Sequence, residues 1–246
     1  MLVLVVLPTY NEVENLDEVV RRVRAAVADV AILVVDDASP DGTAELAEKL
    51  NAELGGISVL RREGKAGLGS AYRAGFRWGI EHGYDAMVEM DSDLSHDPSD
   101  LPALISAVEH GADLAIGSRY VPGGSIPDWP LSRRLLSRWG NRYAAFCLGL
   151  AVNDSTAGYR CYRADMLGRI DLDTVRADGY GFQIEMTYRV VRLGGKVVEV
   201  PIRFVDRVRG TSKMSSAIAI EALKLVTVWG FRDRVLRRGR RDSARN

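Results

Sequence analysis

The feature that most constrains this 246-residue chain is an apolar run of strand length that stops at polar residues, and a pattern that then repeats. Leu2 to Leu7 is continuous, Pro8-Thr9-Tyr10-Asn11-Glu12 follows, and a helical periodicity runs from Asn15-Leu16-Asp17-Glu18 to about Ala28. A strand with no polar face must be covered on both sides, as in a parallel sheet between helices. The cycle continues with strands at Ala31 to Val35, Ile57 to Leu60, Ala86 to Met90 and Ala112 to Gly117. Between them lie helices at Asp41-Gly42-Thr43 to about Leu54, Leu68 to His82 and Pro98 to His110. Such alternation predicts an α/β fold with an open, mostly parallel sheet flanked by helices.

Beyond Arg119 the rhythm loosens into the turn-rich stretch Tyr120 to Pro127, too long for a routine connection and read as a site loop. A helix from about Leu131 to Leu150, a short strand near Gly158 to Tyr162, a helix from about Phe182 to Leu193 and a strand at Lys196 to Val200 complete the body. No repeat or linker divides it, so residues 1–230 read as one domain and 231–246 as a basic tail. That tail holds seven arginines against Asp233 and Asp242, a net +5, although the whole chain balances 33 basic against 33 acidic residues. No global field steers the chain to nucleic acid.

Met1 to Leu7 lacks the basic flank and cleavage site of a signal peptide, and no stretch is long and apolar enough to span a bilayer. Cys147 and Cys161 form no close-spaced motif and read as reduced thiols. Ile218, Ala222, Leu225, Val226 and Trp229 share one helical face just before the basic tail. That amphipathic stripe suits an interfacial membrane helix or a packed terminal helix. Trp129 and Trp139 flank the helix carrying Arg133 to Arg138 and are candidates for a lipid interface or for ordinary packing.

In open α/β sheets, ligands bind beyond the carboxyl ends of the strands. Three such ends here are crowded with polar groups: Pro8 to Glu12, Asp36-Asp37-Ala38-Ser39-Pro40-Asp41, and Asp91-Ser92-Asp93-Leu94-Ser95-His96-Asp97. A dinucleotide fingerprint is missing after the first strand, and Gly64-Lys65-Ala66-Gly67-Leu68-Gly69-Ser70 does not have phosphate-loop spacing. A signalling receiver domain also clusters aspartates at strand ends, but in about half this length and with acids after the first strand. Asp91 and Asp93, two hard carboxylates at i and i+2, can share one Mg²⁺ or Mn²⁺ with a substrate phosphate. His82, His96 and His110 lack metal-ligand spacing and read as surface or supporting residues.

These motifs, with Gly117-Ser118-Arg119-Tyr120, Phe204-Val205-Asp206-Arg207 and Gly210-Thr211-Ser212-Lys213, resemble the polyprenol-phosphate (dolichol-phosphate) mannose synthases, inverting glycosyltransferases of the GT-A fold. The resemblance covers about residues 2–225. It implies transfer of mannose from GDP-mannose to a polyprenyl phosphate; the alternative is a UDP-glucose or other UDP-sugar donor. It places Pro8, Tyr10, Glu12, Val35 and Asp37 around the base and ribose, with Asp91 and Ser92 nearby. Asp93 becomes the principal metal ligand beside Asp91, and Ser95 stands where such enzymes often carry a longer Gln, so that a water bridge there replaces direct ligation. Arg119, Arg207 and Lys213 would face donor phosphates, with Arg119, Arg133 and Ser137 receiving the acceptor phosphate. Asp91, Asp93 and Arg119 would form the catalytic set. The resemblance further implies a peripheral enzyme on the cytoplasmic face of a membrane, with a separate membrane-anchoring protein as a candidate partner.

The acceptor simplifies the chemistry. A sugar hydroxyl needs a general base, whereas a phosphate monoester with a second pKa of about 6 is already largely dianionic at neutral pH. Cationic groups must then balance a diphosphate and a phosphate brought together.

Overall fold

The computed structural model describes residues 1–206 and 221–233. Arg207, Lys213, Ile218 and the tail beyond Asp233 lie outside the described residues.

Seven strands form one sheet in the order β3-β2-β1-β4-β6-β5-β7, with β1 Val3–Thr9, β2 Ala31–Asp36, β3 Ile57–Arg61, β4 Ala86–Glu89, β5 Leu114–Ser118, β6 Arg160–Arg163 and β7 Val197–Pro201. All neighbours pair in parallel except β6, which runs antiparallel to both β4 and β5. The mostly parallel α/β expectation holds. The inserted strand has a consequence for the site: it brings its entrance, residues 154–158, to the edge where the parallel strands end.

The helices are α1 Val13–Ala26, α2 Thr43–Leu54, α3 Leu68–Glu81, α4 Leu101–Glu109, α5 Leu131–Leu148, α6 Ala164–Arg169, α7 Gly179–Arg192 and α8, residues 221–233. Side chains along β1 alternate between two layers. Leu4 and Val6 join Tyr72, Phe76 and Phe182 beneath α3 and α7, while Val3, Val5 and Leu7 join Leu16, Val20 and Leu104 beneath α1 and α4. Both faces are therefore dry, which is why the strand carries no polar residue before Thr9.

Several boundaries differ from the periodicity by one to three residues, and two of them have a local cause. α7 begins at Gly179 rather than Phe182, because its first turn, Gly179-Tyr180-Gly181, has no apolar repeat; a Cβ on Gly181 would stand 3.4 Å from Leu225 of α8. α5 stops at Leu148, where Gly149 takes φ 66°. The short α6 carries too few residues to show a period.

The stripe on α8 faces inward. Ala222 and Val226 are buried, and Trp229 stacks on Tyr188 with centroids 6.1 Å apart. Of the two readings of that stripe, the packed helix is the observed one, because its apolar side closes the layer over α5 and α7. The largest group of exposed apolar residues on one element lies on α5, at Leu131, Leu135, Leu136, Trp139 and Phe146, while α8 exposes Val228 and Phe231.

Candidate active site

Beyond the carboxyl ends of β1, β2 and β4 lies a cleft of about 350 Å³ lined by Tyr10, Glu12, Asp37, Lys65, Ser92 and Asp178 among others. The turn after β2 is held by its own carboxylates. Asp36 accepts from the Thr9 hydroxyl at 2.9 Å and from Ser39 N–H at 2.9 Å, so it is committed to the scaffold. Asp41 accepts from Val13 N–H at 3.1 Å and the Thr43 hydroxyl at 2.6 Å, tying the starts of α1 and α2 together. Asp37 is the member left for the cleft. Burial pushes its pKa above the ordinary carboxylate range, opposed by Arg62, which donates to it at 2.7 Å.

The glycine-rich segment ahead of α3 lines the same cleft. Lys65 Nζ stands 5.0 Å from the centre of the Tyr10 ring. Gly67 takes φ 91°, and a Cβ there would collide with the Asp178 carboxylate, which accepts from Gly69 N–H at 2.7 Å. The helix N-termini of α3 and α7 both open on the cleft, a favourable setting for phosphate. Sequence reasoning left this segment unassigned because its spacing fits no phosphate-loop pattern.

Val35 departs from its expected role. Its side chain is fully buried in the layer beneath α3, where it would lie 3.3 Å from a Cβ on Gly75. Strand alternation explains this, since Val35 and Asp36 must point to opposite faces. Pro8 does line the cleft, and its carbonyl accepts from the Ser92 hydroxyl at 2.9 Å, locking the β1 and β4 ends together.

Asp91 and Asp93 border both this cleft and a second one of about 300 Å³ that also holds Ser95, His96, Arg119, Trp129, Arg133, Gln183 and Asp206. Asp91 accepts from the Tyr72 hydroxyl at 3.1 Å, and burial, then Asp91, drives that phenol well above its usual pKa. Its backbone N–H donates to His96 Nδ1 at 3.2 Å. His96 is buried and stacks on Tyr159, a supporting residue rather than a surface one. Ser95 orients Asp93 through its backbone N–H, 3.0 Å from Oδ1. Among the described residues, no cluster of three or more His, Cys, Asp and Glu side chains is arranged to hold a metal ion. Two carboxylates fit a cation that takes its remaining oxygens from a diphosphate and water.

Arg119 is the buried cation of the second cleft. Its Nε and Nη2 donate to the two oxygens of Asp154 at 2.7 and 2.6 Å, and Nη2 also reaches Thr156 at 2.8 Å. Burial alone would lower the arginine's pKa and raise the aspartate's; the opposite charge outweighs it in each, holding Arg119 above and Asp154 below the usual range. Glu199 caps the backbone N–H groups of Asn153 and Asp154 at 2.9 Å each. Sequence reasoning missed Asp154. Its signal was Asn153-Asp154-Ser155-Thr156, a polar run that reads as an ordinary loop until β6 is known to be antiparallel.

Behind the site, Arg160 is fully buried and donates to the carbonyls of Ala157, Gln183 and Ser155 at 2.7, 2.8 and 2.8 Å. Gln183 in turn donates to Glu89 at 2.7 Å, and burial pushes Glu89 up to about 7. The second cleft opens into an apolar groove of about 160 Å³ between α5, α7 and α8, lined by Leu136, Trp139, Ile184, Ala222 and Val226, with Ser137 on its wall and Arg133 and Trp129 at its mouth. Trp129 is thus buried at the junction, while Trp139 is about half exposed.

A doubly wound sheet with one antiparallel insertion, carrying paired aspartates where β4 ends, defines a GT-A glycosyltransferase. The glycosyl transferase family 2 model matches residues 4–171, and the chain belongs to that family. It is 55% identical over 231 residues to the undecaprenyl-phosphate mannosyltransferase of Micrococcus luteus, covering 94% of this chain and 95% of that protein. The polyprenol monophosphomannose synthase of Mycolicibacterium smegmatis is 53% identical, with 94% and 88% covered. A solved structure of Mycobacterium tuberculosis glucosyl-3-phosphoglycerate synthase with Mn²⁺, UDP-glucose and phosphoglyceric acid superposes with a TM-score of 0.68 at 20% identity, covering 93% of this chain and 79% of that one.

Proposed function

We propose that this glycosyltransferase moves mannose from GDP-mannose to a polyprenyl phosphate, inverting the anomeric centre and using Mg²⁺ or Mn²⁺. The observation that carries the reading is the continuity of three spaces: Asp91 and Asp93 are shared by the first two clefts, and Trp129 and Arg133 by the second cleft and the apolar groove. A nucleotide, a sugar and the head of a lipid fit that sequence of acidic, cationic and apolar linings. The names of the two bacterial relatives support the acceptor.

In this reading, Pro8, Tyr10, Glu12 and Asp37 hold the nucleoside, with the Arg62 pair fixing the Asp37 carboxylate. Asp91 and Asp93 would hold the divalent ion with the diphosphate, and the bound ion would draw off charge from the departing nucleotide. Arg119 cannot swing, because Asp154 and Thr156 take one edge of its guanidinium; its other edge meets the phosphate. Arg133, with Ser137 beyond it, stands where the acceptor phosphate enters. The phosphate oxygen attacks as a dianion, so the site needs no base. Arg207 and Lys213 complete the phosphate contacts in the family resemblance and lie outside the described residues.

No helix of the described residues is long and apolar enough to cross a membrane. The face of α5 that exposes Leu131, Leu135, Trp139 and Phe146 between Arg134, Arg138 and Arg142 suits the surface of an anionic bilayer, placing the groove mouth beside the lipid. We assign that bilayer to the cytoplasmic side.

The test is a panel of labelled GDP-mannose, UDP-glucose and UDP-N-acetylglucosamine offered with polyprenyl phosphate and Mg²⁺. Lipid-extractable label from GDP-mannose alone is expected. Label from a UDP-sugar overturns the donor, and no label from any donor overturns the acceptor.

A further inference from the structure

We infer that Trp129 binds the acceptor phosphate through its indole N–H, and that Asp206 occupies this place in the ligand-free chain. The inference rests on the reading of a lipid phosphate as acceptor. Trp129 is buried, and a buried indole N–H takes a hydrogen-bond partner. That partner is Asp206, whose Oδ1 accepts from Nε1 at 2.9 Å. Arg133 converges on the same carboxylate, with Nη1 at 3.2 Å from each oxygen, and its guanidinium lies 3.8 Å from the centre of the Trp129 ring. Arg119 stands 5.4 Å from that ring. The tryptophan thus fixes one guanidinium, neighbours the other and contributes a donor between them.

The position suits a lipid phosphate. Trp129 and Arg133 line both the cationic cleft and the apolar groove, so an anion seated on them has its ester tail directed into the groove. The side chains of Arg133 and Asp206 are 43% and 46% exposed, and an ion pair so placed is weak. A phosphate dianion brings more charge and three acceptor oxygens to the same donors. The phosphate would need the same Trp129 Nε1 and Arg133 Nη1 donors that Asp206 holds, and two anions on the same donor atoms repel, so the carboxylate yields. A purely structural Asp206, holding Arg133 in its working position, makes the opposite prediction.

The experiment measures Asp206→Asn and Trp129→Phe in the full chain, with farnesyl phosphate in detergent as acceptor. Removing the competing charge should lower the acceptor KM about two- to fivefold with the GDP-mannose KM unchanged. A raised acceptor KM in Asp206→Asn overturns the inference. Independently of turnover, the ¹⁵N-indole resonance that disappears in Trp129→Phe should shift on titrating wild-type protein with farnesyl phosphate and not with farnesol. Equal shifts with both, or none with either, also overturn it. A phosphate-specific shift in a protein that transfers no label to polyprenyl phosphate would uphold the site and overturn the function instead.

Discussion

On the proposed donor side of the cleft, Thr9, Asp37, Asp91 and Asp93 hang from the ends of parallel strands buried on both faces; on the proposed acceptor side, Trp129, Arg133 and Ser137 stand on a loop and a helix whose outer face is open to solvent. Strand ends place a carboxylate to within the tolerance of the sheet, which suits an ion and a diphosphate of fixed geometry. A helix with an apolar outer face tolerates a long, variable lipid. The two sides are joined by the Arg119–Asp154 pair, and Asp154 belongs to a loop positioned by an antiparallel strand.

Breaking that junction should have the largest effect. Asp154→Ala leaves a buried guanidinium without its counter-charge, and a loss of about 3–5 kcal/mol of stability is expected in chemical denaturation. GDP binding by the fraction still folded should change little; a parallel loss of GDP affinity would show that the two sides are not separable. Because the Asp154 pKa is depressed in the fold, its stabilisation is present above its unfolded value, near pH 4, and is lost as pH falls through the folded value. The acid limb of wild-type stability should therefore flatten in Asp154→Ala.

Asp93→Asn attacks the donor side alone. Turnover should fall at least about a hundredfold, while stability changes by about 1 kcal/mol, since the asparagine keeps an oxygen to accept from the Ser95 backbone N–H. Steady-state kinetics beside a thermal melt separates the two effects. Retained Mg²⁺-dependent transfer would move the metal role to other residues.

Gly67→Ala probes the loop that sequence spacing left unassigned. A left-handed φ and the collision with Asp178 cost about 1–2 kcal/mol, so the GDP-mannose KM should rise about tenfold with the acceptor KM unchanged. An acceptor effect of equal size would place the loop on both sides.

The smallest effect is expected on the outer face of α5. Leu135→Gln with Phe146→Gln should lower co-sedimentation with anionic vesicles several-fold and leave stability within about 0.5 kcal/mol, as exposed positions do. Undiminished vesicle binding would move the membrane contact away from α5.

The placement of the proposed donor side was legible in the sequence because parallel strands advertise themselves: a run such as Val3 to Leu7 has one reading, and the polar residues after it must sit at the edge. Asp37, Asp91 and Asp93 follow directly. Val35 was misplaced for a local reason, since its neighbour's role says nothing about which face it takes. The acceptor side was half hidden. Arg119, Arg133 and Ser137 were named and Asp206 stood in one of the motifs without a role, but Asp154 and the groove depend on β6 reversing direction and on α8 packing inward, both long-range choices. The stripe Ala222, Val226 and Trp229 is equally apolar whether it meets lipid or Tyr188.

The most direct measurement compares farnesyl phosphate with farnesol as acceptors for labelled GDP-mannose under identical detergent and Mg²⁺ conditions. A site that relies on the acceptor's own charge, with Arg119 and Arg133 to receive it and no base to remove a proton, should label the phosphate and leave the alcohol unlabelled at any pH from 6 to 9. Comparable transfer to the alcohol would mean that a base operates in the cleft and that the cationic side has been misread.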